Sequence, residues 1–264
     1  MRLSIRHETV YRYDAPVDYA LLQLRVRPRD DASLRVVDWT VELDGAVPQA
    51  RFADHYGNPV DLVEIEPQRD AVSITVAGTV ETSDRSGVSA TDPGPVPLWL
   101  LRRATDLTKA DAAIRDIAES VTGADALTRL HQLSASIRAA VAYVPGETGT
   151  ETSASAALSQ GQGVCQDHAH IFLAAARSLG HPARYVGGYL MMDDRTDQDA
   201  GHAWAEAHVD GLGWVGFDVS NGISPDERYV AVARGLDYRD CAPTRGVMYG
   251  GSQEALEVRL QVQQ

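Results

Sequence analysis

The sequence predicts an α+β protein: an N-terminal antiparallel β domain, then a core in which the start of a helix presents Cys165 to an antiparallel sheet carrying His202 and Asp218. Three observations predict it. Up to about residue 90, alternating stretches rich in Val, Ile and Thr are punctuated by Gly, Pro and Asp. Between 122 and 180, apolar residues recur at helical intervals. Beyond 183, strand-type segments return. A chain of 264 residues with 44% hydrophobic composition has enough apolar surface for one or two cores.

In the first part, "LSIRHETVYRY" alternates, "DWTVELDG" and "AVSITVAGTVET" read as strands, and "DHYGNPV" at 54–60 carries the Gly-Asn and Asn-Pro signals of a turn. These define a domain over 1–90. "TDPGPVP" at 91–97 holds three prolines without periodicity and reads as a linker, leaving 98–264 as the core with a C-terminal β segment. In "TGADALTRLHQLSASIRAAV", Leu127, Leu130, Leu133, Ile137 and Val141 mark one helix face, with Thr122 as N-cap and Asp125 as its box partner. Residues 145–163 read as a loop with a short helical patch. A helix starts at Cys165 and stops at Gly180, ahead of Pro182. "ARYVGGYLMM", "HAWAEAHVD", "GWVGFDVS" and "LEVRLQV" then read as strands.

The net charge of -13 is spread along the chain with no basic arm or patch, which argues against nucleic acid and anionic membrane as partners, since both need clustered cations. No run of about 18 apolar residues occurs, and arginines stand where a signal peptide would be apolar, so the expected location is cytoplasmic. Two cysteines permit one disulfide, but a cytosolic chain of this size has no need of a Cys165–Cys241 bridge.

Cys165 therefore reads as a metal ligand, a buried filler or a nucleophile. A helix N-terminus favours a thiolate, because unpaired N–H groups and the dipole stabilise negative charge there. Gly161 and Gly163 would let the backbone approach closely and leave N–H groups for an oxyanion. Alternation in "GHAWAEAHV" puts His202, Trp204, Glu206 and His208 on one strand face, and Ala203, Ala205, Ala207 and Val209 on the other. Asp210-Gly211 is a turn signal, and the returning "GWVGFDVSNG" brings Asp218 within a few residues of His202. A carboxylate at one ring nitrogen would fix the tautomer of His202 while the other nitrogen faces the thiol.

"GVCQDHAHIFLAAARSLGHPARYVGGYL" followed by "GHAWAEAHVDGLGWVGFDVSNG" closely resembles the bacterial transglutaminase-like (papain-like) superfamily, in its Gly-x-Cys-x-Asp, His-Ala-Trp-x-Glu and Gly-Trp-x-x-Phe-Asp elements. The first domain with "DHYGNPV" resembles the β domain that precedes the core in one bacterial branch, and "DYRDCAPTRGVMYGG" with the closing β segment resembles that branch's tail. The resemblance implies Cys165 as nucleophile, His202 as base and acid, Asp218 as the orienting carboxylate, and a thioester acyl-enzyme formed from an amide. It implies protease-type hydrolysis more readily than crosslinking, with the transglutaminase transferring to an amine as the alternative. Val219-Ser220 stands where Pro-Thr is expected, and His168 where an aromatic is usual.

Other readings stand beside this one. His168 and His170 invite a metal-dependent hydrolase, but at about 100° per helical residue they diverge too far to share one site; no metal or other cofactor is expected. His168 could instead compete with His202 as base. Asp167 could tune the thiol or line the cleft, although an acid in a first helical turn is favourable anyway. Trp204 could wall the cleft, and Glu206 could hold an arginine. The oxyanion is assigned to the Cys165 backbone N–H and, by analogy with papain-like enzymes, to Gln162. The loop 193–201, with four aspartates and one arginine, runs into His202 and would favour basic peptide or protein substrates. A non-catalytic binding or scaffold protein is the alternative of another class.

Overall fold

The computed structural model describes residues 1–90, 94–250 and 254–264. The first strand, β1 (Arg2–Leu24), turns Leu3, Ile5, His7 and Thr9 inward by simple alternation. It is long and changes partner halfway. Pro16 has no N–H to give a ladder, and it lies where the register with the strand Arg69–Thr82 breaks, between Arg12 and Val17. Around β1 are β2 (Leu34–Asp44), β3 (Ala46–Ala53), β4 (Pro59–Ile65) and β5 (Arg69–Thr82). β5 pairs with the first half of β1 and with β2, whereas β4 pairs with the second half and with β3.

The core follows as β6 (Val88–Ala90), α1 (Ala112–Ser120), α2 (Ala126–Ala140), β7 (Ala142–Tyr143), α3 (Ala154–Gln160), β8 (Gln162–Gly163), α4 (Cys165–Ser178), β9 (Ala183–Leu190), β10 (Asp197–Gln198), β11 (His202–Val209), β12 (Gly213–Phe217), β13 (Tyr229–Gly235) and α5 (Tyr238–Cys241). Its antiparallel sheet runs β13-β9-β11-β12-β6. The expected alternation in β11 holds: Ala203, Ala205, Ala207 and Val209 join the core formed with α4, and Trp204 packs with Val186, Leu190 and Tyr229. Small residues on both partners, including Ala169 and Ala174–Ala176 on the helix, let α4 lie close on the sheet. Phe172 of α4 stacks on Phe217 of β12, ring centroids 4.8 Å apart. With α1, α2 and α3 packed on its other sides, α4 is buried from Asp167 to Arg177.

Strands β14 (Thr244–Gly250) and β15 (Glu254–Gln263) were grouped with the core in the sequence, yet both leave it and pair with β1 in the first sheet. β10 joins that sheet too, through Asp197 and Gln198 against Gln261 and Leu260 of β15, while β6, from inside 1–90, pairs with β12. Backbone pairing across long separations overrides sequence order, because an edge strand with free N–H and C=O groups takes whichever strand reaches it. Of the expected linker, 91–93 lie outside the described residues, as do 251–253; in the rest, Val96 is buried among Tyr56, Leu101 and Trp214.

The two sheets are fastened by the turn "DHYGNPV". The Asn58 side chain donates to the Arg234 carbonyl at 2.7 Å and accepts from the Arg234 N–H at 2.8 Å, satisfying the backbone of β13 as another strand would. The Tyr56 hydroxyl donates to Asp240 at 2.8 Å. The helix expected from 122 onward begins later. Asp125 is the N-cap itself, accepting from the Thr128 N–H at 2.8 Å, and Thr122 is outside the helix with its N–H on Gln132.

Candidate active site

α4 begins at the half-buried Cys165, whose thiol is close enough to His202, at the start of β11, to act on that ring's charge. The hairpin register explains how Asp218 reaches the same ring. Ala205 is opposite Phe217, so Asp218 falls opposite Trp204, one same-face step from His202. His202 Nε2 is 2.7 Å from Asp218 Oδ2, which leaves Nδ1 for the thiol. The three residues singled out in the sequence are thus brought together.

Burial alone would lower the pKa of His202; the bond to Asp218 and the nearness of the Cys165 sulfur outweigh it and raise it to about 10. The ring is therefore charged at neutral pH and has a proton to give. Asp218 is fully buried. Burial opposes its charge, but bonds from His202, Asn221 and Tyr229 hold its carboxyl below the usual range. The Tyr229 hydroxyl and the Asn221 side-chain amide each donate to Oδ2 at 2.7 Å, and the Asn221 N–H donates to Oδ1 at 3.2 Å. Sequence reading named neither. Asn221-Gly222 is a turn signal that would have pointed Asn221 back toward Asp218, whereas nothing local marks Tyr229, which arrives on β13.

Trp204 lies alongside the His202 ring, centroids 6.3 Å apart, and Tyr229 meets Trp204 edge-on at 5.4 Å. The two aromatics wall off the His–Asp pair from the sheet side. Glu206, one step further, holds two arginines: Arg184 Nε at 2.5 Å and Arg234 Nε at 3.5 Å. Arg184 also lies over the Trp214 ring at 4.0 Å, and Arg234 reaches Asp31 at 2.7 Å. Burial would raise the Glu206 pKa, but Arg184 and Arg234 bring it down to about 2.

The remaining candidates divide. Asp167 is buried and turned back, accepting from the Val164 N–H at 2.8 Å and the Thr148 hydroxyl at 2.6 Å, so it closes the helix start. Gly163 exists for that carboxylate: a Cβ there would stand 2.8 Å from the Asp167 side chain. Gly161 is the left-handed C-cap of α3, φ 68°, and its N–H is already bonded to Ala157 and Leu158 carbonyls. The oxyanion role expected of the glycines therefore does not extend to the Gly161 N–H. Gln162 lies in β8, paired in parallel with Ala142 of β7 just ahead of Cys165.

His168 is not placed as a rival base. Its Nε2 is 3.0 Å from the Val141 carbonyl, which requires a proton on that nitrogen, so Nδ1 accepts from the Ser220 hydroxyl at 2.8 Å. His170 points elsewhere and accepts from the Tyr238 N–H at 3.1 Å; burial drives its pKa down to about 3. Two of the three positions that depart from the expected pattern, His168 and Ser220, are thus bonded to each other. Cys241 is a separate free thiol, buried and set 3.7 Å from the Tyr185 carbonyl. In the acidic loop, Asp193 pairs with Arg228 at 3.5 Å, Asp194 with Arg195 at 3.1 Å, and Asp197 with Gln261 at 2.8 Å, so the loop is neutralised in part and anchored to β15.

Residues 115–219 match the family model described as the transglutaminase-like superfamily, and residues 3–81 match that of the bacterial transglutaminase-like N-terminal region. An uncharacterized protein of Mycobacterium leprae is 28% identical, covering 99% of this chain and 98% of its own. One of Mycobacterium tuberculosis is 29% identical, covering 97% and 90%. A crystal structure described as a candidate cysteine protease from Cytophaga hutchinsonii matches with a TM-score of 0.76 at 19% identity, covering 100% of this chain and 98% of that one, a likeness of fold.

Proposed function

We propose that this chain, which belongs to the transglutaminase-like superfamily and carries the bacterial N-terminal region ahead of its core, hydrolyses amide bonds through a Cys165–His202–Asp218 triad. The superfamily and the fold support cysteine-based hydrolase or transferase chemistry. The observation that carries the finer reading is the His202 ring, held by Asp218 at 2.7 Å through Nε2 so that Nδ1 is left for the nearby thiol at the start of α4.

The Cys165 sulfur, as thiolate, attacks the amide carbonyl. The oxyanion forms against the backbone N–H at the start of α4, with Gln162 as a candidate second donor. His202 gives its proton to the leaving amine, and the C–N bond breaks to leave a thioester. Water then attacks the thioester, His202 takes one of its protons, and the C–S bond breaks to release the acid and restore the thiolate beside the charged ring. Asp218 stays ionised throughout and holds the ring. Cys165 is half-buried rather than enclosed, which supports water as the acceptor.

A glutamine-containing peptide incubated with and without a primary amine, and followed by mass, tests the reading. Cleavage or deamidation unaffected by the amine is the expected result. A mass gain equal to the amine less ammonia would replace hydrolysis by transglutamination, and no turnover in either case would favour a binding or scaffold role.

The pH profile follows from His202. A pKa raised above the ordinary 6.5 to about 10 means that the charged ring's contribution to stability is complete below 6.5 and is lost as pH rises through 10. Its service as acid is lost over the same window. Activity should therefore persist through neutral pH and fall toward pH 10. In Asp218→Asn, which removes one of the raising partners, the alkaline limb should move down; a limb that stays in place would remove Asp218 from the triad.

A further inference from the structure

Beside the turn that closes over Asp218, a groove of about 400 Å³ runs between α2 and the end of β12. Phe217, Ile223 and two alanines of α2 give it an apolar lining, and His131, Ser134 and Arg138 supply the polar groups. Three observations say what it suits. The chain carries a net charge of -13, yet no acidic residue lines this groove, and α2 has none from Ala126 to Ala140. Arg138 makes no ion pair among the described residues; its guanidinium lies against Gly222, where a Cβ would come within 2.4 Å of it. Ser134, 7% exposed, adds a hydroxyl to the lining. The His131 ring packs on Phe217 at 5.0 Å.

A cation without an ion pair, a hydroxyl and an imidazole over an apolar lining are complementary to a carboxylate attached to an apolar group. We infer that this groove binds the C-terminal carboxylate of a peptide ending in an apolar residue, with Arg138 taking the carboxylate and the Phe217–Ile223 surface the side chain. The site is separate from the thiol chemistry and does not depend on it. It touches that chemistry at one point: the Ile223 carbonyl accepts from the Asp218 N–H at 2.9 Å, and the Ile223 N–H donates to the Asp218 carbonyl at 3.2 Å.

The test uses the full chain carrying Cys165→Ala, so that binding is read without turnover. N-acetyl-leucine and its uncharged isostere N-acetyl-leucinamide are titrated while the backbone amide signals of Gly222 and Ile223 are followed by NMR. Saturable shifts at millimolar N-acetyl-leucine are expected, at least about tenfold weaker for the amide. The same loss is expected in Arg138→Met, which keeps the apolar stem of an exposed side chain and so spares the fold. Equal binding of acid and amide, undiminished binding in Arg138→Met, or no saturation at these signals would each overturn the inference. None of these results bears on whether Cys165 is a nucleophile, which the peptide assay decides.

Discussion

His202→Ala is expected to lower kcat/KM for amide hydrolysis by about four to six orders of magnitude, the scale on which a nucleophile–base pair fails when either member is lost. The loss should be visible without knowing the substrate. Iodoacetamide should alkylate Cys165 rapidly at neutral pH in the wild type, and slowly once the imidazolium that faces the sulfur is gone. Cys241 serves as the internal control: it is buried, and burial raises its thiol pKa well above the ordinary range, so it should stay unmodified in both proteins. Modification located by mass distinguishes the two sites. An alkylation rate at Cys165 indifferent to His202 would mean that the ring does not activate the thiol, and the scaffold reading would take precedence.

The second large effect concerns stability. Glu206→Ala would leave Arg184 buried without its carboxylate, and Arg234 with Asp31 alone. Removing one member of a buried ion pair costs about 3–5 kcal/mol, because the remaining charge is neither solvated nor matched. Against a total stability of about 5–15 kcal/mol this is a large share, and it should appear as a marked drop in the denaturant midpoint. Glu206→Gln keeps the shape and some hydrogen bonding but not the charge, so it should lie close to the alanine variant if charge is what matters. A loss below about 1 kcal/mol in both, the level of an exposed pair, would show that water or backbone groups already satisfy the two arginines.

The readability of this chain follows the range of the forces involved. Local periodicity exposed α4, the two faces of β11 and the returning β12, and those elements alone bring Cys165, His202 and Asp218 together. The partners of Asp218 were less visible. Tyr229 comes from a strand that reaches the site only through its pairing with β9, and no periodicity within a segment encodes that. The role of His168 was hidden for the same reason, since its tautomer is fixed by Val141 from the end of α2 and by Ser220 from beyond β12. Gly161 and Gly163 looked alike in the sequence, but one caps a helix and the other makes room for a carboxylate. α1 escaped notice although Asp111 stands as its N-cap, because nine residues give too short a pattern to separate from loop. The destination of β14 and β15 depends on β1, more than two hundred residues earlier in the chain.

That last pairing has a consequence in time. β15 lies against β1, Ser4 opposite Gln263, and also holds the loop ahead of His202 through Asp197 and Gln261. As the chain leaves the ribosome, β1, β2 and β5 can associate early, but one whole flank of β1 stays open until residues 244–263 have emerged. Such distant closure makes for slow folding. The loop that precedes the histidine is held to Arg228 and Leu190 within the core, but gains its pairing with β15 only at that late stage. The surroundings of His202 are thereby completed only when the closing strands have joined the first sheet, although His202 itself is already paired with Gly188 of β9 in the core.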